Sequence, residues 1–302
     1  MAERMPVVSV IIPFFNRLAW LRESIQSVLG QTLDDFELIL VDDGSLEDAA
    51  PVIPEDEQIR YVRQENRGPA AARNRGIDMA WGKYVAFLDS DDLFLPEKLA
   101  RQVAYLEDHA QTAWCHTSYC TFSTGGEIEV VHSGRFGGQV YPGITLNCPI
   151  ALPTVMVRKE ALDGGLRFEE STRVGEDIIL WSRLAQRHVL AGIDEVLAQV
   201  RLHGRNAGSD ARSQIAARMS LVERVIQPDQ ALSPNVKRKL LSAQYGTIAE
   251  RYLELGQAGI SLRFMGRALT TSPTDPARYS QIARGVVRIA LGQGQRKAKT
   301  GR

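Results

Sequence analysis

Three carboxylates crowd the end of one apolar run: Val85-Ala86-Phe87-Leu88 is followed by Asp89, Asp91 and Asp92, with Ser90 between the first two. Carboxylate oxygens are hard ligands. An Asp-x-Asp pair therefore suits a magnesium or manganese ion that fills its other positions from substrate phosphates. A second acidic turn, Asp42-Asp43-Gly44-Ser45, closes the apolar run Phe36 to Val41. Either Asp42 or Asp43 can accept hydrogen bonds from a nucleotide base or from ribose hydroxyls, as an acidic residue near a strand end does in dinucleotide sites. A third acidic element, Glu176-Asp177, follows Gly175 where a helix begins. There a carboxylate either complements the helix dipole or removes a proton as a general base. The structural alternative applies to each cluster, because Asp is favoured in turns and helix caps, and Pro96 follows the first one closely.

Charge at the end of an apolar run has a simple positional meaning. A strand buried on both faces reads as a continuous apolar segment, and in open α/β sheets ligands bind beyond the carboxyl ends of such strands. The first half of the chain alternates strand-like and helix-like segments. Strands are predicted over Val7 to Ile12, Phe36 to Val41, Ile59 to Val62 and Tyr84 to Leu88. A helix is predicted over Leu18 to Leu29, with apolar residues at Leu18, Leu21, Ile25, Val28 and Leu29. A Gly68-Pro69 turn opens an alanine-rich helix carrying Arg73. The loops Pro13-Phe14-Phe15-Asn16, Asp42 to Ser45 and Asp89 to Asp92 then share one edge of a parallel sheet and describe a pocket. From Trp114 to about Arg201 the pattern is less regular, with strands predicted over Ala113 to Phe122, Ile128 to His132, Thr154 to Arg158 and Val196 to Val200. The remainder, from about Ala211, reads as helices broken at Pro228, Pro234 and Ser272 to Pro276. Gln244 to Pro273 has tetratricopeptide-like spacing, and a single such pair must bury its apolar face on something else.

Composition narrows the class. The 302 residues are 44% hydrophobic, and Lys+Arg and Asp+Glu both total 36, a balance that argues against nucleic acid as the main partner. Arg278 to Arg302 carries seven basic residues and no acid, a solvated tail or a weak peripheral contact with anionic lipid. Cys115, Cys120 and Cys148 form neither a CxxC pair nor an even disulfide framework and read as core thiols of a reducing compartment. With no run of about 18 apolar residues and no signal-like start, the expected location is cytoplasmic, at most peripheral at the inner face of the membrane.

In order, Val8 to Asn16, Ser24 to Thr32, Phe36 to Ser45, Asn66-Arg67-Gly68 with Ala72-Arg73-Asn74, and Phe87 to Asp92 resemble glycosyltransferase family two, over about residues 6 to 210. The resemblance implies a GT-A fold, that is, an α/β, Rossmann-like, mostly parallel central sheet flanked by helices. It also implies a domain over 1–210, with a nucleotide-sugar half to about 112 and an acceptor half beyond it, and a helical extension with the basic tail over 211–302. It implies an inverting, hexosyltransferase-type enzyme that uses Mn2+ or Mg2+ and a nucleotide-sugar donor, UDP-sugar favoured, toward a carbohydrate or lipid-linked acceptor in cell-surface polysaccharide synthesis. Carried over by position, Pro13 and Phe15 line the base pocket with Asp43 on the base, and Asn66 and Ser90 join the donor site. Arg73 binds near base or phosphates, Asp89 approaches ribose or donor sugar, and Asp91 is the main metal ligand. Glu176-Asp177 matches the family's acidic pair, with Asp177 favoured as base and Glu176 the alternative. His203 completes the metal shell, Arg205 and Ser209 contact phosphate, and Asp92 is left as a turn or helix-cap residue. Phe14, Trp114, Phe136 and Trp181 are the aromatic residues available as an acceptor platform, with Trp181 weighted toward the core.

Two other classes compete. A sugar-phosphate nucleotidyltransferase would carry a Gly-rich basic loop after the first strand, where Pro13-Phe14-Phe15-Asn16 stands instead. A dehydrogenase would show GxGxxG after a strand, and none is present. A catalytically inactive sugar-nucleotide or protein-binding module is opposed by the joint retention of Asp89, Asp91, Glu176, Asp177 and His203.

Overall fold

In the computed structural model, the residues described are 5–123, 125–126, 128–172, 174–203 and 210–273. The chain divides into two compact units. The first is built from Met1–Ile144, Cys148–Ser171 and Arg183–Gly204; the second from Thr145–Asn147, Thr172–Ser182 and Arg205–Arg302.

The first unit is organised on nine strands. These are β1 (Val8–Phe14), β2 (Phe36–Asp42), β3 (Ile59–Arg63), β4 (Tyr84–Phe87), β5 (Leu93–Phe94), β6 (Trp114–Phe122), β7 (Ile128–Val131), β8 (Met156–Arg158) and β9 (Leu190–Arg201). They form one sheet in the order β3-β2-β1-β4-β8-β6-β9-β5, with β7 pairing the far end of β6. β3, β2, β1 and β4 are mutually parallel, as the alternating pattern predicts. Beyond them β8 runs antiparallel to both β4 and β6, and β6 is parallel to β9. The sheet is therefore mixed, with its run of four consecutive parallel strands in the amino-terminal half.

Within the parallel part β1, β2 and β4 are buried on both faces, while the edge strand β3 is not. Val8, Val10 and Ile12 of β1 share a core with Leu21, Ile25 and Val28 of helix α1 (Leu18–Leu29) and with Leu99 and Leu106 of α3 (Lys98–Asp108). On the other face Ile11 meets α2 (Pro69–Met79), where a Cβ on Gly76 would lie 2.4 Å from Ile11 Cγ2. Only glycine allows that helix to approach so closely. Strand alternation thus divides β1 between two helical layers.

The end of β1 also has a physical logic. The carbonyl of Ile11 accepts the N–H of Leu88, so the backbone of Pro13, two residues on, faces the same side, where β4 has already left the ladder. The missing N–H of proline costs no sheet hydrogen bond there.

Three sequence expectations need correction. β4 stops at Phe87 rather than Leu88, and the strand predicted from Thr154 begins at Met156 after a short 3-10 turn, Leu152–Thr154. The strand predicted over Val196 to Val200 runs the full Leu190–Arg201. Its first half was hidden because Gly192, Asp194 and Glu195 read as a break. A bulge opposite Thr117 and Ser118 takes up the irregularity. Asp194 is held there by Arg135 Nε, His132 Nδ1 and Ser118 Oγ at 2.6, 2.9 and 2.9 Å, which pull its carboxyl well below the usual range.

The short helix α4 (Lys159–Asp163) follows β8, and α5 (Glu176–Ala185) begins among the residues of the second unit. That unit continues as α6 (Ala211–Leu221), which runs into a π-helical turn (Val222–Ile226), then α7 (Pro234–Glu254) and α8 (Ala258–Thr271). Asp210 caps α6 by accepting from the N–H groups of Arg212 and Ser213, and Ser233 caps α7. Ser242 Oγ donates to Ala268 O and Ser261 Oγ to Ala249 O, so α7 and α8 form an antiparallel hairpin. The first and last residues of the π-helical turn share a small core with α7: Val222, Ile226 and Leu240. The basic segment Arg278 to Arg302 lies outside the described residues. Among those described, no helix is long and apolar enough to cross a membrane.

Candidate active site

The Asp cluster forms a β-turn: the N–H of Asp92 donates to Asp89 O at 3.0 Å, leaving Ser90 and Asp91 at the corner. Its three carboxylates then take three different partners. Asp89 Oδ1 receives Arg73 Nη2 at 2.6 Å. Asp91 Oδ2 receives His203 Nε2 at 2.8 Å, with Arg17 Nη1 at 3.5 Å. Asp92 is buried, and its Oδ1 accepts the N–H of Arg201 at 2.9 Å. Burial, reinforced by the charges of Asp89 and Asp91, pushes the Asp92 carboxyl well above its usual range. Asp92 is therefore no helix cap, since α3 begins only at Lys98; it fastens the turn to the end of β9.

Arg73 is positioned from below. Its guanidinium lies 5.2 Å from the ring centroid of Phe168, which in turn meets Phe87 edge-on at 5.1 Å. The next residue of α2, Asn74, donates to Phe168 O and accepts from Phe168 N, both at 2.9 Å, locking that ring in place. Arg73 is only 4% exposed, so its direction toward Asp89 is set by packing.

The turn after β2 is held just as firmly. Asp42 is fully buried, with Ser45 N on Oδ1 at 2.7 Å and Tyr61 Oη on Oδ2 at 3.0 Å. Asp43 accepts Gln64 Nε2 and Arg67 N on Oδ1 and Gly68 N on Oδ2, at 2.8, 2.9 and 2.8 Å. A carboxylate oxygen has two lone-pair directions, so Oδ2 of Asp43 keeps acceptor capacity. Gly44, at φ +82°, brings this turn against the backbone of Asn66: a Cβ there would sit 3.0 Å from Asn66 N. Asn16, itself left-handed at φ 56°, ties the β1 loop to the same turn by donating its N–H to Ser45 Oγ at 2.8 Å and accepting Leu46 N at 2.8 Å. Pro13 is buried in β1, and Phe15 stands 45% exposed at the loop tip.

The structure thus gathers Asp89, Ser90, Asp91, Arg73 and His203, and separately stitches the Asp42–Ser45 turn to Asn16, Asn66 and the start of α2. Glu176 and Asp177 open α5 in the second unit, after Gly175 at φ +82°. Glu176 is buried, and Asp177 Oδ1 accepts the N–H of Ile178 at 2.7 Å. In the same unit a Cβ on Gly175 would lie 2.7 Å from Ala217 Cβ of α6, so the acidic pair starts hard against that helix. Arg205 and Ser209 lie outside the described residues. The aromatic platform is not supported: Phe14, Trp114 and Trp181 are buried, and a ring without exposed face cannot stack on a sugar.

Sequence reading missed Arg17, Trp20, Glu23 and Arg201. Arg17 precedes α1 and Trp20 and Glu23 follow at every third residue, off the helix's apolar stripe. That polar and aromatic line on the helix after the first strand was the available signal. Arg201 donates through Nε to Asp91 O at 2.9 Å and through Nη2 to Glu23 Oε2 at 2.5 Å.

A divalent cation fits this chemistry in a limited way. Among the described residues no group of three or more His, Cys, Asp or Glu is placed to hold a metal ion together. One carboxylate oxygen and one imidazole nitrogen, from Asp91 and His203, suit Mn2+ or Mg2+ if diphosphate and water supply most of the shell.

Known proteins resemble this chain in sequence and in fold. Residues 9–163, just over half of the chain, match the family model described as Glycosyl transferase family 2. An uncharacterized glycosyltransferase of Rickettsia felis is 47% identical over 201 residues, covering 65% of this chain and 33% of that protein. The chain thus spans about a third of the length of the first curated relatives it matches. A putative teichuronic acid biosynthesis glycosyltransferase of Bacillus subtilis, TuaG, is 31% identical, covering 70% of this chain and 84% of that one. Among solved structures, S. aureus TarS 1-349 in complex with UDP-GlcNAc superposes with a TM-score of 0.68 at 16% identity, covering 98% and 93% of the two chains. A mannosyltransferase from Pyrobaculum calidifontis in complex with GDP-Man and Mn2+ gives 0.54 at 19%, covering 96% and 81%. At such identities the structural likeness speaks to the fold.

Proposed function

The chain belongs to glycosyl transferase family 2 and has the GT-A fold, and from that footing we propose that it moves one sugar, with inversion, from a nucleoside-diphosphate donor to an acceptor hydroxyl. UDP-sugar is the favoured donor, and a growing glycan or lipid-linked saccharide of a cell-surface polysaccharide is the favoured acceptor. The names of two relatives support that context: one is assigned to teichuronic acid biosynthesis, and the other was captured with UDP-GlcNAc. The observation that carries the reading is the pairing of Arg73 with Asp89 and of His203 with Asp91 on one turn, where charge is concentrated yet still reachable by solvent.

In this reading Asp43 Oδ2 accepts an N–H of the base, and Pro13 and Phe15 flank it. Asn66 and Ser90 complete the donor contacts, Asp89 turns toward ribose or sugar, and Arg73 supplies fixed positive charge. Arg205 and Ser209 reach phosphate. Asp91 and His203 would hold Mn2+ or Mg2+, which when bound stabilises the charge that grows on the leaving diphosphate. Asp177, with Glu176 the alternative, takes the proton from the acceptor hydroxyl as that oxygen attacks the anomeric carbon. A single displacement of this kind inverts the configuration.

The test is calorimetric titration with UDP, GDP and dTDP, each with and without manganese, on the unaltered protein and on Asp91→Asn. The expected result is metal-enhanced binding of UDP that Asp91→Asn weakens about 100-fold. Equal binding by both proteins would sink the metal role, and tighter binding of GDP would overturn the choice of base.

A further inference from the structure

Trp20 is a tryptophan that the core does not need. It lies off the apolar stripe of α1, which is carried by Leu21, Ile25 and Val28, and it stays partly exposed while Trp114 and Trp181 are fully buried. What it touches is more specific. Its ring stacks on the imidazole of His203, with centroids 4.7 Å apart and planes 26° from parallel. The guanidinium carbons of Arg17 and Arg201 lie 5.5 and 5.4 Å from its ring centroid, both within the range of a cation–π contact. These three basic side chains all touch Asp91: His203 and Arg17 reach Oδ2 at 2.8 and 3.5 Å, and Arg201 reaches the carbonyl oxygen at 2.9 Å.

We propose that Trp20 is a positioning residue for the Asp91–His203 pair, a flat aromatic platform that sets the imidazole plane so that Nε2 stays aimed at Asp91. The inference rests on the donor-site reading above and deepens it. An imidazole turns about one torsion at its ring, and the direction in which Nε2 points depends on that torsion. A stacked indole removes the freedom. The platform is itself fixed. Arg201, 8% exposed, is held by Glu23, by Asp91 O and by the face of Phe122 at 4.4 Å, while α1 is anchored through Ser24 Oγ to Asp92 O at 2.7 Å. The indole therefore joins α1, the Asp89–Asp92 turn and the end of β9 at one point. Groups that orient a metal ligand from behind commonly change metal affinity 10- to 100-fold when removed.

The experiment compares the unaltered protein with Trp20→Ala, Trp20→Leu and Trp20→Phe by calorimetry, using UDP with manganese and UDP in chelator. Trp20→Ala and Trp20→Leu are expected to weaken manganese-dependent UDP binding about tenfold, to leave chelator-treated UDP binding unchanged, and to be rescued within about threefold by Trp20→Phe. Trp20→Leu keeps apolar bulk without a ring, so it carries the test if the alanine variant melts early. A second readout is the tryptophan fluorescence lost on adding manganese and UDP, which should largely disappear in Trp20→Phe. If Asp91→Asn abolishes manganese-dependent binding while both ring-removing variants keep it, the platform is wrong and the donor site stands. If the unaltered protein binds no nucleotide with manganese, the donor-site reading falls and takes this inference with it.

Discussion

Two carboxylate networks, one buried and one partly open, sit at opposite ends of the same parallel strands, and they behave as different kinds of chemistry. At the amino end Glu37 Oε1 accepts Ser9 Oγ and Trp81 N, and Oε2 accepts Arg60 Nη1, each at 2.6 Å. Ser9 Oγ in turn accepts Gly82 N at 2.8 Å, and the Arg60 guanidinium lies 3.7 Å from the Trp81 ring centroid. A Cβ on Gly82 would sit 2.5 Å from Ser9 N, so there is no room for anything else. At the carboxyl end, Asp89 and Asp91 keep 34% and 20% of their side-chain surface open and face Arg73, Arg17 and His203. The first network staples strands together. The second holds charge in a form that a ligand can enter, because its acceptors are open to solvent and some of its donors are long or jointed. Asp42 and Asp43 show that the carboxyl end contains both kinds, since their turn is stapled too.

The largest effect expected belongs to neither network. Asp177→Asn should slow transfer by about 10²- to 10⁴-fold while donor binding stays within about twofold, measured by initial rates beside calorimetry. Loss of donor binding with unaltered turnover would remove Asp177 from the base role. Next in size is Glu37→Gln, which keeps the shape of the amino-end network but removes its charge. A loss of about 2 kcal/mol in denaturant unfolding is expected, with UDP affinity unchanged. Asp91→Asn should do the reverse, and matching profiles for the two variants would erase the distinction between staple and site.

The smallest effect concerns a buried ionisable group with a neutral partner. Lys98 is fully buried, its Nζ lies 2.6 Å from Gln102 Oε1 and 4.1 Å from the Phe94 ring centroid, and burial lowers its pKa to about 7. The folded value lies below the unfolded one, near 10.4. The favourable contribution is therefore present above the unfolded value and is lost as pH falls toward 7. Relative to Lys98→Met, the unaltered protein should gain about 1.4 kcal/mol in unfolding free energy between pH 8 and pH 9. A flat difference over that interval would mean that Lys98 stays charged in the fold.

Much of the parallel half was readable because its signals are local. Apolar runs, the helical spacing Leu18, Leu21, Ile25, Val28, and the Gly68-Pro69 opening of α2 each lie within a few residues, and all formed as expected. The missed parts depend on distant partners. β9 begins at Leu190 because a bulge against β6 takes up Asp194 and Glu195, and no window on that segment shows the bulge. Trp114 and Trp181 carry the same side chain as Trp20, yet they are core while Trp20 stacks on His203. Asp92 reads as a turn residue until the strand end it pins comes into view.

Chain order and residue type were enough to establish a strand-turn-helix series with acids at the strand ends, and its likeness to one enzyme family. Those properties follow from steric and hydrophobic preferences that act over one or two turns of chain. The division of labour among Asp89, Asp91 and Asp92 was decided in three dimensions. Their partners Arg73, His203 and Arg201 stand 16, 112 and 109 residues away, and burial separates the pinned carboxylate from the open ones. A carboxylate's role depends on which donors reach it and how much water remains, and both are properties of packing.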